Sequence, residues 1–554
     1  MNKKVIFFGW GCNNESDSYM YQIWTYTLRK IFPSLINFDT KENYFKYGKK
    51  VMNKKLLDLI KKESPDLILF AFFNDEIYLD TLFKLKKVNA KTIIISCDED
   101  LKYENFYKFM SLFFDYKIAS QEIVKENYKR DKHVNIFFHK DYNTFKLKPL
   151  NIEKKYDISF IGRPKADRAK MLEYLKEKGI NIAIFGWDWY SYEKLKDAYH
   201  GPLNPEDYNK VLNQTKINIC FTKSGYEEEK NLYNRKGKAF EVPQTKAFQL
   251  IEYFPLINSF FKEKKETDTF KTKEELLEKV KYYLKNEKER EEIAVNSFNK
   301  INKSYNREKD LIEIFTKIIN DKKLRENFPK INKKIITLSI NDLFDKKLKE
   351  KVIDYDYITF SIGNDKISKY RSYIQAYSLE KSDKEISCSD YYVYSNSLGD
   401  IALFRGDWAF RRIGKEANKL IHLNQLMVRK DFFTNNIKSF RDLVSNNSFN
   451  LIDKENTIFV SLPLMKTKTL KVIEFEKMKK ALEIRFTDNM LSLLYRRKLF
   501  YSLYPYAIIG ESISGNKFLF QYLIDVSFDK KTWDKLMLNQ KYLGGFLTKI
   551  IKKF

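Results

Sequence analysis

The feature that most constrains the fold of this chain is a rhythm. Short apolar runs alternate with longer amphipathic ones, in two series across the first 330 residues. Lys4 to Phe8, Leu67 to Phe72, Lys91 to Ser96, Tyr116 to Ala119 and Val134 to Phe138 read as strands. Tyr19 to Ile31 and Leu56 to Lys62 read as helices between them. Strands buried on both faces are continuous apolar runs, and the intervening helices supply the crossovers of a parallel sheet. The second series has strands at Tyr156 to Ile161, Ile180 to Phe185 and Lys216 to Phe221. Its helices are expected at Arg168 to Lys178, Lys246 to Glu252, Thr272 to Leu284, Glu287 to Ile301 and Lys309 to Ile319. The pattern predicts two doubly wound α/β domains of Rossmann type, over 1–150 and 151–330, with a linker near 143–153.

The polar, basic stretch Lys322 to Lys334, with Pro329 inside it, marks the start of a third region, 331–554. Strand candidates there are Ile335 to Leu338, Tyr357 to Phe360, Asp390 to Tyr394 and Ile401 to Phe404. The last part leans towards helices, including Leu491 to Leu499. The terminal Ile550 to Phe554 is apolar and basic, and reads either as a solvated helix end or as a surface-seeking one. With 554 residues the chain exceeds one hydrophobic core, so several domains are required.

Lysine and arginine outnumber aspartate and glutamate by 102 to 74, giving a net charge of +28. That field favours polyanions, anionic membrane surfaces and acidic small substrates without choosing between them. The four cysteines, Cys12, Cys97, Cys220 and Cys388, have no close spacing and form no short Cys/His cluster. They read as buried free thiols in a reducing compartment, not as zinc ligands. The short apolar run after Met1 ends at Gly9-Trp10-Gly11 like a first strand and is too brief for a signal sequence. No stretch approaches a membrane span, so a cytoplasmic protein is expected, peripheral at most on the inner face of the membrane.

Open parallel sheets bind ligands beyond the carboxyl ends of their strands. In the first domain those ends carry Gly9 to Asp17 (GWGCNNESD) and Asp98-Glu99-Asp100. Gly9 and Gly11 permit a close backbone approach to a ligand or form a simple turn. Asp98 is a candidate general base on an acceptor hydroxyl or a helix N-cap, and Asp17 is a second acidic candidate. In the second domain Gly162-Arg163 follows the first strand. Arg163 offers a forked cation for phosphate, whereas Arg168 reads as a structural helix residue. Arg235, Lys238 and Glu241 lie in the stretch RKGKAFEVP, which puts cations, a glycine and a carboxylate ahead of an apolar run. Arg235 and Lys238 are phosphate candidates, and Glu241 is a candidate for ribose hydroxyls or a helix cap or ion pair. His200, in a loop, contacts sugar or base or is a plain turn residue. Facing domains would set 9–17 and 98–100 across a cleft from 162–163 and 235–241.

On these residues the first 330 positions resemble the spore-maturation (CgeB-like) glycosyltransferases, related to the group 1 transferases of GT-B fold. The similar elements are Tyr156 to Arg163 (YDISFIGR), Ile184-Phe185-Gly186, His200-Gly201 with Tyr208, Lys216 to Phe221, Arg235 to Phe254, and Leu276 to Ala294. The resemblance implies a nucleotide-sugar donor, as substrate and not cofactor, held mainly by the second domain. It places Glu241 at the ribose carboxylate and Arg235 near the donor phosphates. Group 1 enzymes carry a second glutamate eight positions from their first, and here the place eight after Glu241 is Gln249. The third region resembles a degenerate, truncated family 2 transferase of GT-A fold, through Asp354 to Asp400 and Leu423 to Phe433. Of that family's acidic metal cluster only Asp365 remains, which points to an accessory domain that orients acceptor or makes an oligomer contact.

The expected reaction moves a sugar from the donor to a hydroxyl of a glycan, lipid-linked saccharide or glycoprotein. Arg163, Arg235 and Lys238 would offset the leaving diphosphate in place of a metal. Rival readings are a nucleic-acid-binding protein, a DNA-modifying glycosyltransferase, and a catalytically silent scaffold in a glycan-assembly complex.

Overall fold

The structure is a computed structural model. It describes residues 1–467 and 482–484, apart from 14–19, 72–74, 97, 132–134, 140–146, 166, 188, 190–191, 224–232, 234–235, 323–327, 396–398, 447–449 and 454. The expected helix at 491–499 and the tail at 550–554 lie outside the described residues.

Strands β1 (Val5–Gly9), β2 (Ile36–Asp39), β3 (Leu67–Ala71), β4 (Lys91–Ile95), β5 (Tyr116–Ala119) and β6 (Ile136–Phe138) form one sheet in the order β2-β1-β3-β4-β5-β6. Every pairing in it is parallel. The central strands are buried along their whole length, as VIFFG and LILFA require. A second all-parallel sheet contains β7 (Tyr156–Ile161), β8 (Ile182–Phe185), β9 (Thr215–Cys220), β10 (Gln249–Glu252) and β11 (Asp268–Phe270), in the order β11-β10-β9-β7-β8. In each sheet the second strand lies on one side of the first and the rest on the other. The order therefore reverses at β1/β3 and at β7/β9, which opens a crevice at the carboxyl ends there.

One expectation is overturned. Lys246 to Glu252 is not a helix, because Gln249–Glu252 forms β10 between β9 and β11. The preceding helix, Lys238–Gln244, contains Pro243 and ends there, and Lys246 follows at φ 56°. That left-handed residue turns the chain from helix into sheet.

The helix Arg307–Asn320 returns to the first sheet. Its Leu311, Ile314, Phe315 and Ile318 share an apolar cluster with Val5, Phe7, Leu28 and Phe32. Lys91 Nζ donates to the carbonyls of Ile318 and Ile319 at 2.7 and 2.9 Å, which satisfies acceptors that a helix end leaves open.

The third region is built on a mixed sheet. Its strands are β12 (Ile335–Leu338), β13 (Tyr357–Phe360), β14 (Lys366–Ile367), β15 (Ile386–Ser395), β16 (Gly399–Phe404), β17 (Leu426–Arg429), β18 (Thr457–Thr467) and β19 (Leu482–Ile484). The order is β12-β13-β17-β15-β16-β19, with β18 beside β15 and β14. This region docks on the first domain through a shared core. Ile374, Tyr377, Met427, Leu462 and Leu464 are buried in one cluster with Phe106, Phe109, Met110 and Phe113. Asp365 accepts a 2.9 Å hydrogen bond from Asn424. Among the described residues no group of three His, Cys, Asp or Glu side chains is placed to hold a metal ion. Nor is any described helix long and apolar enough to cross a membrane.

Candidate functional site

The β7/β9 crevice of the second domain gathers most of the chemistry. Its floor is made by two glycines. Gly186, at φ 124°, follows β8 and lies so close to Gly162 that a Cβ there would sit 2.4 Å from the Gly162 carbonyl oxygen. Gly162 N–H donates to Phe185 O at 2.8 Å, and Trp189 Nε1–H donates to Gly162 O at 2.6 Å. The two strand ends are thus held in contact, and a side chain at 186 would part them.

Glu241 and Lys238 stand on the short helix Lys238–Gln244, which follows β9. Glu241 is buried, with 5% of its surface exposed. Its Oε2 accepts a 2.6 Å hydrogen bond from the Tyr208 hydroxyl. Tyr208 lies on the helix Pro205–Gln214, whose start is fixed by the Asn204 side chain accepting from Asp207 N–H, with proline in the first turn. Burial pushes the Glu241 carboxyl above its ordinary value, while the Tyr208 hydrogen bond and the Lys238 charge pull it back down. Lys238 Nζ donates to Ile161 O and lies 4.8 Å from the Phe160 ring centroid. Loss of hydration lowers its ammonium to about 8, with the nearby Arg168 charge acting in the same direction. Lys238 therefore carries its charge at neutral pH and loses it as pH rises through about 8.

Arg168 is structural, as its position implies. It is buried, and its guanidinium donates to Arg163 O at 3.1 Å and Lys223 O at 2.8 Å. It thereby ties the loop after β7 to the loop after β9. Glu252 braces the same edge by accepting from the Thr222 and Lys223 N–H groups at 2.9 Å each. Arg163 is exposed above Gly162. Arg235 lies outside the described residues. His200 sits at the edge strand β8, its ring stacked on Phe185 at 5.1 Å. Partial loss of hydration, then the Lys155 charge, lower its imidazole below the ordinary value. Gln249 is buried in β10, and its Nε2 donates to Ala239 O at 2.9 Å.

In the first domain Asp98 is exposed at the carboxyl end of β4, at φ 56°. It precedes a short helical turn without capping it. Its neighbour Glu99 turns inward, accepting from Ser96 Oγ at 2.6 Å, Ser120 N–H at 3.1 Å and Ser120 Oγ at 3.0 Å. Asp17 lies outside the described residues. The loop after β1 is a built turn. Asp39 accepts from Gly11 N–H at 2.9 Å and from Asn13 N–H at 3.1 Å, with Gly11 at φ 76°. Sequence reasoning did not find Asp39, Glu252 or the role of Tyr208. The Asn-Pro helix start before Tyr208 was the one signal available.

Residues 165–315 match the profile of a family described as glycosyl transferase-like. The matched residues include Tyr208, Lys238 and Glu241. No curated protein matches the sequence significantly. Among solved structures, the chain is similar to sucrose-phosphate synthase from Thermosynechococcus elongatus, with 10% identity over 56% of this chain and 98% of that one and a TM-score of 0.42. It is similar to Anabaena HepE in complex with UDP-glucose, with 8% identity over 57% and 99% and a TM-score of 0.42. A glycosyltransferase from Rickettsia africae gives 12% identity over 58% and 100% and a TM-score of 0.41.

Proposed function

We propose that this protein is a glycosyltransferase that moves a sugar from a nucleotide-sugar donor to a hydroxyl of a glycan, lipid-linked saccharide or glycoprotein. The observation that carries the reading is the buried Glu241 carboxylate, held by Tyr208 beside Lys238 at the reversal point of an all-parallel sheet. The glycosyl transferase-like match over the same residues supports it.

A carboxylate has about four lone-pair sites. Tyr208 uses one on Glu241, and the ribose hydroxyls of the donor take others. The Lys238 ammonium meets the diphosphate, with Arg163 from the loop above Gly162. As the glycosidic bond breaks, negative charge grows on the departing phosphate, and a fixed cation in a dry crevice stabilises that charge more than water does. Asp98, exposed at a strand end of the first domain, takes the proton of the acceptor hydroxyl. With Gln249 at the place of the second glutamate, the ribose and phosphates rest on Glu241 and the cations alone. Within this reading the chain is of the spore-maturation type, and its third region, resembling family 2 enzymes in sequence, serves as an accessory domain.

The test is calorimetric titration of wild type and Glu241→Ala with UDP-, GDP-, dTDP- and CMP-sugars. Selective binding lost in the variant supports the reading. Absence of binding to all four sinks it.

A further inference from the structure

We propose that the seam between the first domain and the third region is a binding pocket for an anionic saccharide, a sugar bearing phosphate or carboxylate. It is separate from the donor crevice. It rests on the glycosyltransferase reading only in that such a ligand would be the charged part of the acceptor.

A cavity of about 670 Å³ lies in this seam, within the range of small-molecule sites. One wall comes from Lys49 and the segment Asp75 to Asp80 after β3, the other from Lys366 to Tyr370, Tyr392 and Leu462 to Lys466. Two lysines from different domains converge on one pair of rings. Lys49 Nζ lies 4.6 Å from the Tyr78 centroid and 5.0 Å from that of Tyr392. Lys466 Nζ lies 5.5 and 5.1 Å from the same two. Lys49 is compensated by Asp75 at 2.9 Å and bonds the Tyr392 hydroxyl at 2.5 Å.

The lining carries four lysines against two aspartates, an excess that draws anions into a low-dielectric recess. Bringing two ammonium groups to one aromatic pair costs repulsion, which a bound anion relieves. The rest of the wall decides what carries that anion. Tyr78 and Tyr370 give the wall aromatic surface, the Tyr392 hydroxyl is shared by Lys49 and Asp75, the Tyr370 hydroxyl donates to Asp80 at 3.2 Å, and Leu462 and Met465 add apolar surface. A bare phosphate would leave that wall unused, and an apolar ligand would desolvate the charged groups without balancing the lysine excess. A sugar has a C–H face for the aromatic and apolar wall, hydroxyls that donate to the phenol and carboxylate oxygens, and an attached anion for the lysine excess.

The pocket also gives the third region a function. Neither domain holds the cavity alone, since Lys466 and Lys49 come from opposite sides of a continuous core.

The experiment titrates the full chain at low salt with glucose 6-phosphate and with a tetrasaccharide of alternating glucuronate and N-acetylglucosamine, which separates the two anion sources. Glucose, inorganic phosphate and oligothymidylate are the controls. At least one anionic saccharide is expected to bind, about tenfold weaker in Lys466→Gln, as for the loss of one charge-assisted contact. Lys466→Arg restores most of it, glucose does not bind, and exposed Lys369→Gln weakens binding while melting like the wild type. Absence of both anionic saccharides overturns the proposal. So does unaltered binding by Lys466→Gln and Lys369→Gln, or tighter binding of inorganic phosphate or oligothymidylate. Donor titration on the same protein is a separate readout. Loss of donor binding with the seam intact sinks the glycosyltransferase reading and leaves the pocket standing.

Discussion

Tyr208 reaches across 33 residues of sequence to donate a 2.6 Å hydrogen bond to Glu241 Oε2. A buried carboxylate is costly unless donors surround it, and here the donor is one phenol on the neighbouring helix. Tyr208→Phe removes it, raises the Glu241 carboxyl further and leaves less negative charge for ribose hydroxyls. Affinity for the selected nucleotide sugar should fall about tenfold, the scale of one hydrogen bond to a charged group. Glu241→Gln should fall at least as far. Calorimetry checks both, and equal affinity in Tyr208→Phe would mean that the phenol only fills space.

Donor binding should also depend on pH through Lys238. Its ammonium is lowered to about 8, chiefly by lost hydration. The protonated form binds a diphosphate, so affinity should weaken as pH rises through about 8. Glu241, raised by burial, gives the opposite limb, with affinity weakening in acid as the carboxylate is neutralised. Lys238→Gln should bind more weakly throughout and lose the alkaline limb. A flat profile in wild type between about pH 7 and 9.5, the interval around the lowered lysine value, would remove Lys238 from the phosphate site.

Much of the sheet architecture was legible because parallel strands are buried on both faces. VIFFG and LILFA announce themselves as apolar runs, and YDISFI by its alternation. Short or polar strands did not. INFD and DTF carry too little pattern, and QLIE after an apolar helix fits either period. That Lys238 and Glu241 stand close together could be read from their stretch, since both lie on one helix. The Tyr208 partner could not, because only tertiary packing brings it there. Nor could the seam, whose cluster joins residues near 106–113 to others near 374–464.

The glycine pair under the crevice is a stability element. Gly186→Ala forces φ 124° on a residue with a side chain and drives its Cβ into the Gly162 carbonyl oxygen. The backbone term alone costs about 1–3 kcal/mol, and the collision adds to it. The variant should melt several degrees lower and lose donor affinity as the strand ends part. Gly179→Ala is the control, since it shares the positive φ of 78° but has open space around it. It should pay the backbone term without the collision. Equal losses in the two variants would show that the Gly162 contact is unimportant.

Asp98 and Glu99 are adjacent acids with opposite placements, the first exposed and the second buried. Glu99 is buried, and lost hydration raises its carboxyl from 4.5 to about 7 against the hydrogen bonds from Ser96 and Ser120. The folded chain therefore holds this proton more tightly than the unfolded chain. The stability that comes from it is full below about 4.5, is lost as pH rises through about 7, and changes no further above that. Glu99→Gln cannot titrate. Its stability relative to wild type should increase from pH 4.5 to 7, by at most about 3 kcal/mol, and then level off. Chemical denaturation at successive pH values measures this, and a difference constant with pH would refute the buried-proton account. Asp98 is exposed at the strand end, and Asp98→Asn is expected to fold as the wild type does. Its loss should appear in turnover instead, with donor affinity unchanged, as required of a group that takes the acceptor's proton. Unchanged turnover would move the base to another acid of the first domain.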